Sequence, residues 1–277
     1  MTTSASTAIA RLAWWERRRG ERRLNGPWRR QWPALAADRT PFGDDGDGPI
    51  GIGSADTGLT ILPERESLDL LRVAGIRVTA AVAAADGDAA VAAAATFGWP
   101  VAVKLDTTDT AHKSDIGGVA LGLADAHAVR AAFETLTAAG RRAGATVRGV
   151  IVEPMVASGV ELIVGFRRDP MFGPTVVVGS GGILAEILDD VAIRLAPIDR
   201  TIALAMLDEL RSAPIVAGTR GRLPIDRDAV ADLVVAVARF GMERPGIVEI
   251  DLNPVIASEH GAIAVDALVV TAEVRGA

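Results

Sequence analysis

The chain has no cysteine, no tyrosine and few aromatic residues of any kind. Without cysteine it forms neither a disulfide nor a thiolate metal site, and it has no thiol nucleophile. Aromatic residues make up 4% of the 277 positions, which is too few for the base-stacking surfaces that bind single-stranded nucleic acid. The formal net charge of -6 offers no overall positive field for nucleic acid or for an anionic membrane. We therefore expect no nucleic-acid partner.

Long uncharged apolar runs are also missing. No stretch reaches the roughly 18 residues that a membrane-spanning helix needs. The first apolar positions are interrupted by the charged segment 16–23, so the sequence predicts no signal peptide. A hydrophobic content of 49% nevertheless supplies enough apolar side chains for a large core. We expect a folded cytoplasmic protein with no membrane partner.

Residues 1–58 differ in composition from the rest of the chain. Residues 1–40 contain nine arginines and four of the five tryptophans, and residues 41–58 are rich in glycine and aspartate. The second stretch has the composition of a linker. We interpret 1–58 as an N-terminal arm and linker. The alternative is a docking arm for an acidic partner, because tryptophan and arginine often anchor interfaces.

From residue 59 onward, apolar spacing predicts alternating helices and strands. Helical periodicity marks residues 62–75, 87–97, 125–139, 199–210 and 227–240. Short apolar runs indicate strands at 76–83, 100–105, 119–123, 147–156, 159–168, 174–180, 192–196, 246–257 and 262–270. This order predicts an α+β fold with a mainly antiparallel sheet.

Lysine is scarce, and both lysines fall in one short region. Only Lys104 and Lys113 are found among 29 basic residues. Lys104 ends the predicted strand 100–105, and the following loop contains Ser114 and the pair Gly117-Gly118. Paired glycines let backbone amides approach an anion closely, and lysines and hydroxyls add further donors. The combination predicts a polyphosphate site, although a strand-end lysine alone would be an ordinary surface residue.

His112 lies in the same polar loop, away from any apolar stripe. A core position is therefore a poor explanation for it. A loop histidine beside phosphate-binding lysines can act as a nucleophile toward phosphorus. We predict that role for His112.

The segment after the predicted strand 147–156 is a candidate nucleotide hinge. Glu153, Met155 and Val156 could present backbone groups to an adenine in an apolar slot, and Glu161 on the next strand could accept hydrogen bonds from ribose hydroxyls. A plain strand–turn–strand connection with surface carboxylates explains the same residues equally well.

Acidic and amide side chains recur near the C-terminus. Glu249, Asp251 and Asn253 are spaced two apart, so a strand places them on one face. A hairpin to the next strand would bring Asp266 near Asn253. Hard oxygen ligands of this kind suit Mg²⁺, which also binds nucleotide phosphates. The alternative is a hydrogen-bonded polar cluster at the end of a sheet.

Several of these segments together resemble a known family. The chain contains GWPVAVK, HKSDIGGVALGL, IVEPMV, GVELIVGFRRDPMFGP, GSGGILAEILDDVAIRLAP and VEIDLNPV in that order. This series resembles the ATP-grasp domain of ADP-forming acyl-CoA synthetases, the acetate–CoA ligases related to succinyl-CoA synthetase. The resemblance runs from about residue 62 to about residue 270.

The resemblance implies an ATP-grasp fold, in which two α+β subdomains with mainly antiparallel sheets clasp a nucleotide. We expect this domain over 59–277, with subdomains at about 59–153 and 154–277. The implied cofactors are ATP or ADP and Mg²⁺. The implied sites are grouped by role: phosphate binding at Lys104, Lys113, Ser114, Gly117 and Gly118; the nucleoside at Glu153, Met155, Val156 and Glu161; Mg²⁺ at Asn253 and Asp266; phosphoryl transfer at His112 and Asp251.

The resemblance also implies a partner. The full enzymes carry a CoA-binding domain and a domain with a primary phosphohistidine, and this chain matches only the part that forms the beta subunit in two-subunit members. We expect as partner a CoA-binding alpha subunit that carries the primary phosphohistidine, and we expect the assembly to be a hetero-oligomer or a homodimer. Two alternatives remain: a non-catalytic nucleotide-sensing or scaffolding subunit, and a stand-alone ligase for another carboxylate. The presence of His112 disfavours the last of these.

Overall fold

Two antiparallel sheets organise the residues that the structure describes, which are 59–107, 117–170, 172–182, 190–218 and 223–272 of a computed structural model. In chain order the strands are β1 (Leu59–Leu62), β2 (Val82–Ala84), β3 (Val101–Thr107), β4 (Val119–Leu123), β5 (Val147–Pro154), β6 (Val160–Asp169), β7 (Gly173–Ser180), β8 (Val191–Leu195), β9 (Ile247–Ser258), β10 (Gly261–Ala264) and β11 (Ala267–Ala272). The helices are α1 (Glu64–Val73), α2 (Gly87–Phe97), α3 (Ala126–Arg142), α4 (Arg200–Asp208), α5 (Ala213–Val216) and α6 (Arg227–Glu243).

The smaller sheet has the strand order β2-β5-β3-β4. Alternating residues of its strands, such as Val103 on β3 and Val152 on β5, are fully buried in a core shared with α2 and α3. The intervening residues Lys104 and Asp106 lie on the opposite face. That face is turned toward α1. Lys104 forms an ion pair with Glu64 of α1, and Asp106 pairs with Arg148, which also reaches Glu66 of α1.

The larger sheet has seven strands, in the order β1-β11-β9-β6-β7-β8 with β10 paired to β9. One face packs against α1, α4 and α6 around fully buried side chains that include Phe166 and Ile250. The other face carries a small apolar cluster around Ile163 and Val177. The charged positions of β9 also lie on this second face, beside β6.

Aspartate residues fix where four of the helices begin. Asp86, Asp125, Asp199 and Asp226 each accept a hydrogen bond from the backbone amide three residues later. Each bond satisfies an amide that the helix itself leaves without a partner, and is worth about 1 kcal/mol.

No helix in the described ranges is both long enough and apolar enough to cross a membrane.

Three predicted strands differ from the observed ones. β3 continues to Thr107, because β5 pairs with it as far as Thr107 whereas β4 pairs with it only as far as Lys104, so Lys104 is an interior residue of the strand and not its tip. Only Val82 and Ala83 of the predicted strand 76–83 belong to a sheet strand, β2, and Val78 makes a single bridge to Ala264 before the chain crosses to the smaller sheet. The predicted strand 262–270 is divided into β10 and β11.

Candidate functional site

Lys104 lies at the centre of a buried ionic cluster between the two sheets. Its Nζ atom lies 2.7 Å from Glu64 Oε1, 3.1 Å from Glu153 Oε2 and 2.6 Å from the carbonyl oxygen of Val265. Glu153 is on β5, directly beside β3. Glu64 begins α1 and Val265 precedes β11, so these two partners come from the larger sheet and its helix layer.

The charges of the cluster act strongly on one another. Burial alone would lower the pKa of Lys104, but Glu64, Asp266 and Glu153 outweigh it and raise that pKa above its ordinary value. Burial raises the pKa of Glu153 to about 8, although Lys104 opposes the change. Oε1 of Glu153 is buried and has no hydrogen-bond partner within the described ranges. Lys104 is therefore held charged.

A second set of polar groups lies on the face of the larger sheet that carries the apolar cluster around Ile163 and Val177. Glu249, Asp251 and Asn253 alternate along β9 with the fully buried Ile250 and Leu252, as strand alternation predicts. Asp251 itself is buried. The face is thus lined with carboxylate and amide oxygens.

Arg167 on β6 adds a positive charge to the same face. It pairs in register with Glu249, and its Nη1 atom lies 3.9 Å from Glu249 Oε2. Arg167 is buried, and its Nε atom makes no hydrogen bond to any residue that the structure describes.

The pairing of β9 with its two neighbours brings Asp266 to Asn253. Ala264 pairs with Val255 and Ala267 pairs with Leu252, so Asp266 lies between these registers. Within the described part of the chain, no three His, Cys, Asp or Glu side chains form a metal-binding group. The donor set nevertheless fits Mg²⁺, which in nucleotide sites takes one or two protein oxygens and completes its shell with water and phosphate.

The predicted hinge follows β5 at the edge of the smaller sheet. The backbone amide of Met155 donates to the carbonyl of Pro100 at 3.3 Å, so this amide is engaged within the protein. The side chain of Met155 is exposed, whereas Val156 is half-buried. Adenine binding at the hinge stays a prediction, and Met155 would contribute its side chain to it.

Glu161 lies beside Gly181 and Gly182, which follow β7. The amide of Gly181 donates to the carbonyl of Glu161 at 2.7 Å. A Cβ atom at Gly182 would lie 2.5 Å from Glu161 Oε2, and the φ of Gly182 is +58°. A side chain at Gly182 would therefore displace the Glu161 carboxylate. Glu161 is exposed, and its ribose role stays a prediction.

The predicted phosphate loop is described only at its end. Gly117 has a φ of +68°, a conformation that favours glycine, and the carbonyl of Gly118 accepts a hydrogen bond from Leu105 on β3. His112, Lys113 and Ser114 lie outside the described residues.

Sequence reasoning missed Glu64, which forms the 2.7 Å ion pair with Lys104. The only signal was a carboxylate in the first turn of a helix, which is common for helix stability alone. Arg168 and Asp190 have structural roles. Arg168 donates to the carbonyls of Ile247 and Gly241 and so caps the end of α6. Asp190 accepts hydrogen bonds from Ser180 and from two backbone amides.

Comparison with known proteins places this geometry in a family. Residues 54–271 match the ATP-grasp domain family. The beta subunit of an ADP-forming acetate–CoA ligase from Pyrococcus furiosus is 42% identical over 208 residues, which are 74% of this chain and 90% of that subunit. A trans-feruloyl-CoA synthase from an unknown prokaryotic organism is 38% identical over 261 residues, which are 90% of this chain but 37% of the synthase.

Solved structures agree with the sequence matches. Acetyl-coenzyme A synthetase 1 of Ca. Korarchaeum cryptofilum, in complex with coenzyme A, Ca-AMPCP and HgCl+, has a TM-score of 0.74 at 36% identity, over 76% of this chain and 93% of that chain. A second structure, with coenzyme A and Mg-AMPPCP, has a TM-score of 0.68 at 35% identity and equal coverage, and its phosphohistidine segment points towards the nucleotide binding site. This chain belongs to the ATP-grasp domain family and, within it, to the family of the beta subunits of ADP-forming acetate–CoA ligases.

Proposed function

We propose that this chain is the nucleotide-binding subunit of an ADP-forming carboxylate–CoA ligase, an acid–thiol ligase that uses ATP or ADP and Mg²⁺. One observation carries the proposal: the chain matches 90% of a beta subunit of such a ligase at 42% identity. The structure adds a buried lysine, a glycine-ended loop and a face of hard oxygen donors, which together suit a magnesium nucleotide.

The proposed reaction consists of one acyl transfer followed by three phosphoryl transfers. Phosphate attacks the acyl carbon of acyl-CoA and releases CoA, giving an acyl phosphate. A histidine of the partner takes the phosphoryl group and releases the carboxylate. The group then passes through His112 to the terminal oxygen of ADP, giving ATP. Such transfer depends mainly on positioning and on neutralising phosphate charge.

Each residue has a part in this proposal. Lys104 and the loop through Gly118 bind the phosphates, and Asp251 orients His112 for transfer. Asn253 and Asp266 would hold Mg²⁺, which when bound neutralises phosphate charge. Acyl recognition belongs to the partner, since relatives that contain this domain are named for acids as different as acetate and ferulate.

The proposed partner is an alpha subunit. A relative that corresponds to this chain is itself named as a beta subunit. We infer that this alpha subunit binds CoA and carries the primary phosphohistidine, in line with the phosphohistidine segment that points to the nucleotide site in a solved relative.

The transfer role of His112 is tested by labelling. The purified chain, with its alpha partner, is incubated with γ-labelled ATP and Mg²⁺. We expect a label on this chain that is lost in acid and stable in alkali, as phosphohistidine is. His112→Ala should bind ATP normally and carry no label, because the histidine transfers the group and does not hold the nucleotide.

His127→Ala is the matched control, since it removes a histidine from the start of α3. It should label like the wild type. Label that persists in His112→Ala, or a wild-type chain that turns over with its partner and is never labelled, would contradict the transfer role and leave a nucleotide-binding subunit.

A further inference from the structure

The donor capacity of Lys104 is already used within the protein. An ammonium group has three N–H donors. Three acceptors lie within 3.1 Å of Nζ: Glu64 Oε1, Glu153 Oε2 and the carbonyl oxygen of Val265. Lys104 is only 7% exposed, so it cannot turn toward a new ligand without giving up one of these contacts. A nucleotide phosphate must therefore displace a partner.

Glu64 is the partner best placed to be displaced. Glu153 lies on the strand adjacent to Lys104 and moves with the smaller sheet. Glu64 belongs to the other half of the molecule, because α1 packs in the larger core and Ser67 Oγ accepts a hydrogen bond from the amide of Val269 on β11. Separation of the two sheets would break the Glu64 contact and leave the Glu153 contact in place.

The cluster also contains more negative than positive charge. Among the described residues, the carboxylates of Glu64 and Asp266 both act on Lys104, so negative charge exceeds positive charge even when Glu153 is protonated. A phosphate entering this space meets an excess of negative charge, which opposes binding. Neutralising Glu64 would both lower this repulsion and return a donor of Lys104 to the phosphate.

We propose that Glu64 is a positioning residue that competes with the nucleotide phosphate for Lys104 and so lowers nucleotide affinity. This inference rests on the proposed function, because it assumes that Lys104 contacts phosphate. A purely structural ion pair predicts the opposite sign, since its loss would loosen the site and weaken binding. The sign of the change in affinity therefore separates the two roles.

The test is calorimetric titration of the full chain with Mg·ADP and with Mg·AMPPCP. Glu64→Gln keeps the shape of the side chain and removes its charge. We expect it to bind roughly tenfold more tightly than the wild type, as loss of one competing charge-assisted contact implies. In a Lys104→Met background, which should itself bind at least roughly tenfold more weakly than the wild type, the same change should tighten binding much less, because only the charge repulsion is then relieved.

Glu66→Gln is the matched control. It removes one negative charge from the same first turn of α1, where Glu66 is partly exposed and lies 3.4 Å from Arg148. Its affinity should equal that of the wild type. Glu64→Asp provides a second variant in case Glu64→Gln does not fold: it keeps the charge but is one methylene too short to hold the 2.7 Å contact, and it too should tighten binding.

The outcomes distinguish the two levels of the proposal. If the wild type binds no nucleotide, the proposed function itself fails. If the wild type binds and the folded Glu64 variants bind equally well or more weakly, the competition is refuted. Tighter binding that is clearly smaller in the Lys104→Met background supports it, and an equal gain in both backgrounds would refute competition for Lys104.

Discussion

At the scale of single residues, the buried carboxylate of Glu153 has the clearest consequence in solution. It lies 3.1 Å from Lys104, and burial raises its pKa from 4.5 to about 8. The folded chain therefore binds a proton at Glu153 that the unfolded chain releases between these values. Because the native state binds more protons there, the free energy of unfolding must fall as the pH rises through this window.

We predict that wild-type stability decreases between about pH 5 and pH 8 and that Glu153→Gln removes much of this slope, because glutamine cannot titrate. Urea unfolding at half-unit pH steps measures it. Glu134→Gln, on the exposed surface of α3, is the control and should keep the wild-type profile. A Glu153→Gln profile parallel to that of the wild type would contradict the shifted pKa.

The sequence predicts Lys104 and Glu153 as candidate site residues, but it does not predict that their side chains are in contact. Residue type and spacing mark a lysine on an apolar strand and a carboxylate before a turn. Their contact depends on the pairing of β3 with β5, and Glu64 reaches Lys104 from 40 positions earlier in the chain. Long-range contacts of this kind leave no local pattern, so Glu64 could not be found from periodicity.

At the scale of elements, α6 lies unusually close to the larger sheet. A Cβ atom at Gly241 would lie 2.4 Å from the ring of Phe166, which is fully buried on β6. Arg168, two residues further along β6, caps the same end of the helix. Glycine and arginine together thus fix the distance between helix and strand.

Gly241→Ala should lower the free energy of unfolding by roughly 1–3 kcal/mol, since the added methyl group overpacks a closed interface. Chemical denaturation measures the loss. Gly87→Ala is the control and should be close to neutral, because the nearest atom to its Cβ, at 3.4 Å, belongs to the flexible side chain of Arg130. Adding Phe166→Leu to Gly241→Ala should recover part of the loss, and no recovery would argue against the steric cause.

Asp190, just before β8, links the end of β7 to the segment between α4 and α5. Its carboxylate accepts bonds from Ser180 Oγ at 2.6 Å and from the amides of Arg211 and Ser212 at 2.6 and 2.9 Å. Burial alone would raise the pKa of Asp190, but these bonds outweigh it and lower the pKa.

Asp190→Ala should destabilise the fold by about 3 kcal/mol, because it leaves buried donors without an acceptor. Thermal or urea unfolding measures this loss. Asp190→Asn, which keeps one acceptor oxygen, should lose less. Because the folded-state pKa is lowered, the wild type should also lose this contribution as the pH falls below about 4, whereas Asp190→Ala should not. Equal free energies of unfolding for Asp190→Ala and Asp190→Asn would contradict the role of the Asp190 carboxylate as a hydrogen-bond acceptor.

Helix positions were predictable from the sequence, but strand ends were less so. Aspartate caps and apolar periodicity mark α2 and α6 within a few residues. The segment 76–83 has an apolar strand pattern, yet most of it serves as the crossing between the sheets, which local propensity does not encode.

At the scale of the whole molecule, the described residues include two sets of ionic contacts that connect the layers of the two sheets. One is the cluster around Lys104. The other is Arg148 on β5, whose guanidinium lies 2.8 Å from Asp106 and 3.4 Å from Glu66 on α1. A ligand that binds between these two halves should therefore raise the free energy of unfolding of the whole domain.

Saturating Mg·ADP should raise the free energy of unfolding by about 2.7 kcal/mol at a concentration of one hundred times Kd. Asp266→Asn should abolish the dependence of this gain on magnesium while leaving the ligand-free fold intact, which thermal shift over a magnesium titration measures. Asp69→Asn removes an exposed charge on α1 and is the control. An unchanged magnesium titration in Asp266→Asn would exclude a metal-binding role.

The pairing of β1 with β11 determines how this domain can be joined to other domains. Leu59 pairs directly with Ala272, so the two ends of the sheet-forming chain lie about 5 Å apart at one edge. A short peptide could join them, and a circular permutant opened at the exposed β9–β10 turn would keep every helix and most strand pairs. The same geometry suits insertion as a cassette into a longer polypeptide, with entry and exit at one point and neither sheet disturbed.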